Sequence, residues 1–104
     1  MYDSINHIVA TEILGLEDSK WLDPSGNMKH AWFVVEKMMS EGFEVLIRNC
    51  GVSDSDSIKD KGYFCNVFRG YEMYTVVAKT APLAICLASC KALGINPYTA
   101  KITK

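Results

Sequence analysis

Apolar positions recur at steps of three and four in three stretches of this chain and at steps of two in three others. The first helical stretch places Ile5, Ile8, Val9 and Ile13 on one stripe, with Ser4 as a capping residue and Gly15 as a stop. A second runs from an Asn27 cap to about Glu41, with Ala31, Trp32, Val35, Met38 and Met39 as its buried stripe, widened by Phe33 and Val34. Gly42 ends it. Thr80 caps the third, Pro82 fits its first turn, and Gly94 closes it. Leu83, Cys86, Leu87, Cys90 and Leu93 share one face of that helix, and Ala81, Ala84, Ala88 and Ala92 line the other. The alanine side would let a second surface come close.

Between the second and third helices the period changes to two. Phe43, Val45 and Ile47 point one way and Glu44, Leu46 and Arg48 the other, which predicts a strand from Phe43 to Cys50. Tyr63–Arg69 and Glu72–Lys79 form two further strands joined through Gly70 and Tyr71, a connection suited to a hairpin. Both faces of the hairpin carry apolar side chains, so the sheet is expected to be covered on both sides. The prediction is an α+β domain: a three-stranded antiparallel sheet with helices on both faces, an α-β-α sandwich in the order ααβββα, spanning residues 1–104 as one domain.

The remaining segments read as loops. Residues 17–27 contain Trp21, Asp23, Pro24, Ser25 and Gly26, which favour turns; Trp21 either folds onto the core or offers a stacking platform. Residues 52–61 are polar and without period, and Asp54, Asp56 and Asp60 lack the glycine and terminal glutamate of a calcium loop. After Gly94, residues 95–104 form either a frayed tail or a docking segment.

Composition narrows the chemistry. A net charge of -1 over 104 residues gives no electrostatic footprint for long nucleic acid. No apolar run reaches the length of about 20 residues that spans a bilayer, so a soluble, intracellular protein is expected. Cys50, Cys65, Cys86 and Cys90 lie in apolar surroundings without zinc-ribbon spacing and read as reduced core residues; a zinc site from Cys86 and Cys90 with Cys50 or Cys65 is the disfavoured alternative. His7 lies beside the first apolar stripe, without a second ligand in spacing. No hydrolase elbow, phosphate-binding glycine loop or zinc-protease helix occurs, so neither catalysis nor a cofactor or metal is expected. The side chains left for recognition are Arg48, Arg69 and Lys79 for phosphate, with Trp21, Tyr63 and Tyr71 for stacking on a base. Read alone, these charges are better explained as ordinary surface residues beside acidic ones.

Three segments carry a resemblance: V-A-T-E-I-L-G-L from Val9 to Leu16, A-W-F-V-V-E-K-M from Ala31 to Met38, and T-A-P-L-A-I-C-L-A from Thr80 to Ala88. With Trp21 after the first helix and Trp32 ahead of Val35-Glu36-Lys37, they resemble the phage ABA sandwich domain family. The loop before the second helix reads P-S-G-N, which departs from the tyrosine-containing form of the family. The resemblance implies a phage protein acting in the cytoplasm of an infected bacterium. It further implies a homo-oligomer that sequesters a nucleotide signal of host defence, cyclic or ADP-ribose-type, without cleaving it. The alanine side of the last helix is then a candidate subunit contact. The alternatives are a protein-interaction module that inhibits or redirects a host protein, and an accessory domain with no small-molecule ligand.

Overall fold

A computed structural model describes residues 3–16, 22–49 and 62–96. The predicted loop at 52–61, Trp21, Cys50 and residues 97–104 lie outside the described residues. Helix α1 (Asp3–Ile8) passes directly into a π-helical segment, Val9–Ile13, in which the Leu14 N–H donates to Val9 O, five residues back, at 3.0 Å. The helix begins at Asp3, so Ser4 lies inside it. Ile5, Ile8, Val9, Ala10 and Ile13 are all buried, which realises the predicted stripe.

Residues 22–27 are pinned by Asn6. Its Oδ1 accepts from the Ser25 N–H at 2.9 Å and from Ser25 Oγ at 2.7 Å, and its Nδ2 donates to Asp23 Oδ1 at 2.9 Å. Helix α2 (Met28–Ser40) starts at Asn27, whose side chain accepts from the Lys29 and His30 N–H groups as a helix cap should. Its buried face is Ala31, Val34, Val35 and Met38. Trp32 and Met39, expected in that stripe, are exposed, and so is Phe33. The helix is rotated so that Ala31, Val34, Val35 and Met38, and not its aromatic residues, meet its neighbour.

Strands β1 (Glu44–Asn49), β2 (Tyr63–Arg69) and β3 (Glu72–Ala78) form one antiparallel sheet in the order β1-β2-β3. Gly70 has φ +61° in the two-residue β2–β3 connection, which suits a hairpin turn opening on glycine. Gly62, before β2, sits where a Cβ would come within 2.6 Å of Ala78 O, so no other residue fits that approach without moving β3. Helix α3 (Ala81–Ala92) is capped by Thr80, whose Oγ1 accepts from the Leu83 N–H at 3.3 Å.

The chain therefore has the expected α+β architecture, with a three-stranded antiparallel sheet and the ααβββα order. Helix α3 is its centre. It packs on β2 and β3 with one side and on α2 and the π segment with others, so Leu83, Ala84, Ile85, Cys86, Ala88, Ser89 and Cys90 are all buried. Leu93, predicted on the buried face, is exposed at the helix end. Ala84 and Ala88 are fully covered within the chain. Ala84 and Ala88 are thus internal packing positions that let neighbouring backbone approach, while Ala81 and Ala92 at the helix ends are partly exposed.

The two sheet faces are not sealed equally. Cys65 and Val67 are buried, and Val45, Ile47, Tyr74 and Val76 pack against the same core. On the opposite face Leu46, Met73 and Val77 remain 45%, 63% and 59% exposed, and Phe64 and Phe68 are half-buried. Among the described residues, one face of the sheet is sealed more completely than the other.

Candidate binding surface

The strand register converts the sequence into a map of the open face. Residues paired across the strands form three rows: Glu44, Phe68 and Met73; Leu46, Asn66 and Thr75; Arg48, Phe64 and Val77. In the middle row Thr75 Oγ1 donates to Asn66 Oδ1 at 2.6 Å, which settles the polar group at the centre of the array. The Arg48 guanidinium lies 5.1 Å from the centroid of the Phe64 ring, covering part of it while its charge stays in solvent. The surface has an uncharged middle row with apolar side chains on either side of it, and carries opposite charges at two corners along β1.

The sequence-predicted ligand residues divide between the two ends of the sheet. Tyr63 pairs with Asn49 and Ala78, so Arg48, Tyr63 and Lys79 gather at one end. Arg69 pairs with Glu72 at the other end, where Tyr71 stands fully exposed in the hairpin connection. Six residue steps along β2 separate the two groups, about 20 Å at the rise of a strand. Trp21 lies outside the described residues.

Arg69 is already engaged within the chain. Its guanidinium stacks 4.1 Å from the centroid of the Phe43 ring, its Nη1 donates to Glu41 O at 3.1 Å, and its Nη2 meets Glu72 Oε1 at 3.4 Å. These contacts tie the β2–β3 hairpin to the turn between α2 and β1. Sequence spacing gave no sign of this role, because Phe43 and Arg69 are far apart along the chain.

The described thiols are buried and held protonated. Burial pushes the Cys65 thiol up to about 12 and the Cys90 thiol up to about 11; burial, with smaller repulsion from Cys90, Asp23 and Cys65, raises Cys86 further. His30 uses Nδ1 to accept from the Asp23 N–H at 2.9 Å, and His7 is exposed on α1. Among the described residues no group of three His, Cys, Asp or Glu side chains could hold a metal ion. No helix among them is long and apolar enough to cross a membrane.

The same arrangement of elements occurs in a solved protein. The chain is similar to a phage protein from Bacillus cereus ATCC 14579 whose crystal structure is known at 2.0 Å, with 27% identity, a TM-score of 0.65, and coverage of 85% of this chain and 87% of the other. No curated protein matches it. The phage ABA sandwich domain matches residues 7–90, taking in the π segment, both longer helices and the whole sheet. On that match, which covers most of the sequence, this chain belongs to the phage ABA sandwich domain family.

Proposed function

We propose that this phage-type domain is a non-enzymatic protein-interaction module whose working surface is the open sheet face. The observation that carries the reading is the exposure of Leu46, Met73 and Val77 beside Phe64 and Phe68, on the face turned away from the core. Exposed apolar side chains grouped in this way are a mark of protein contacts, and aromatic residues such as Phe64 and Phe68 are the usual anchors. The non-enzymatic part of the reading rests on the protonated, buried thiols and on a histidine held by backbone. Affinity capture from bacterial host lysate, with the natural chain and Met73→Lys side by side, tests it. A stoichiometric partner, of the host or a second copy of this chain, lost in the variant supports the reading; a partner retained by the variant, or neither a host partner nor self-association, removes it.

A second reading, sequestration of a nucleotide signal of host defence, draws support from the gathering of Arg48, Tyr63 and Lys79 at one end of the sheet. It no longer has Arg69, which is committed to Phe43 and Glu41. Calorimetry with cyclic dinucleotides, cyclic trinucleotides and ADP-ribose distinguishes the two. Binding that is abolished by Lys79→Ala and unaffected by Met73→Lys supports sequestration, and absence of heat with every ligand eliminates it.

A further inference from the structure

The open face is complementary to itself. Its first row carries Glu44 on β1 and its third row carries Arg48 on the same strand, with the uncharged row of Leu46, Asn66 and Thr75 between them. A half-turn about an axis along the middle row, parallel to the sheet and across the strands, turns the face over and exchanges the outer rows. Glu44 of one copy then meets Arg48 of the other, twice. Phe68 lies opposite Phe64, Met73 opposite Val77, and the middle row opposite itself. The other face-to-face half-turn, about an axis along β2, places Glu44 on Met73 and Arg48 on Val77, which would desolvate four charges without partners. Among the described residues neither Glu44 nor Arg48 has an ion-pair partner within the chain.

We infer that a second copy of this chain covers the open face, forming an isologous dimer in which the two sheets stack with β1 over β1 and Glu44 pairs with Arg48 reciprocally. The inference rests on the reading of this face as a protein interface and names its occupant. Stacked sheets of this kind align their strands with a rotation of about 30° set by twist, which leaves the β1 corners within reach of each other. Three strands of six or seven residues make a face roughly 15 Å by 22 Å, smaller than a standard specific interface and of the size of weak, transient contacts. The dimer is therefore expected to dissociate on the order of tens of micromolar.

Sedimentation equilibrium of the full chain across a wide concentration range is the test, with Glu44→Arg, Arg48→Glu and the double exchange Glu44→Arg/Arg48→Glu. Each single reversal sets like charges opposite each other and is expected to weaken the dimer at least tenfold, while the double exchange restores opposite charges and recovers most of the affinity. Circular dichroism of each variant confirms that these exposed positions leave the fold intact. A chain that stays monomeric at about 300 μM, well above that range, overturns the inference. So does a dimer indifferent to both single reversals, or one that the double exchange fails to rescue. The capture experiment above separates the two levels: a monomer that still loses a host protein through Met73→Lys leaves the interface reading standing and removes self-pairing alone.

Discussion

The guanidinium of Arg69 rests 4.1 Å from the centre of the Phe43 ring, so the residue closing β2 is stacked on the residue that leads into β1. The contact with Glu72 is half-exposed and adds little. The stacking and the hydrogen bond to Glu41 O are what hold the hairpin to the α2–β1 turn. Arg69→Ala is expected to destabilise the fold by about 1–2 kcal/mol. In urea this appears as a lower midpoint with an unchanged slope. Arg69→Lys should recover only part of the loss, because an ammonium cannot lie flat on a ring and donate sideways at once. Equal stability of all three chains would refute the assignment.

Asn6 holds residues 22–27 through both atoms of its amide. Asn6→Ala leaves the Ser25 N–H and hydroxyl without their acceptor at a part-buried position, and a loss of about 2 kcal/mol is expected. Asn6→Asp keeps the acceptor but faces Asp23 with a like charge. Its deficit should shrink as added salt screens that repulsion. Thermal melts of both variants at low and high salt, each against the natural chain, read the difference.

Ser89 Oγ is fully buried in α3 and, among the described residues, has no hydrogen-bond partner. A desolvated hydroxyl without a partner opposes folding, so Ser89→Ala is expected to stabilise by about 1 kcal/mol. For a domain of this size that corresponds to a melting temperature higher by about 4–8 °C. A lower melting temperature would mean that the hydroxyl is satisfied in solution.

The buried thiols predict both reactivity and pH dependence. Cys65, Cys86 and Cys90 remain protonated when folded, so iodoacetamide at pH 8 should modify them slowly in buffer and rapidly in urea, as read by peptide mass mapping. In the unfolded chain the same thiols ionise near their ordinary value of 9.0. Above that pH the unfolded state binds fewer protons than the folded one, so this contribution is complete below pH 9 and is lost as pH rises toward about 12. The slope is up to about 1.4 kcal/mol per pH unit for each thiol. Rapid labelling of the folded chain, or stability that is flat from pH 8.5 to 10.5, contradicts this.

What could be foreseen from the sequence was what depends on neighbours along the chain. Asn27 and Thr80 cap helices through their own side chains, and the two-residue period around Val45 and Val67 needs no distant partner to declare itself. The misplaced features are those decided by remote packing. Trp32 and Met39 sit close enough to the buried stripe of α2 that a modest rotation of the helix decides their fate, and α3 decides that rotation. The alanine side of α3 could equally have served a helix of the same chain or another subunit, since small residues permit both. Arg48, Tyr63, Arg69, Tyr71 and Lys79 lie near strand ends or turns, but only the antiparallel register shows that Arg69 and Tyr71 stand at the opposite end from Arg48, Tyr63 and Lys79.

Helix α3 comes after every strand in chain order, yet the sheet, α2 and the π segment all rest on it. During synthesis, a nascent chain that has not yet released Ala81–Ala92 from the ribosome therefore exposes greasy surface on both sides of its hairpin at once. Such a chain is a chaperone client until roughly its last helical turn emerges, and premature termination before that point yields an aggregating fragment in place of a smaller domain.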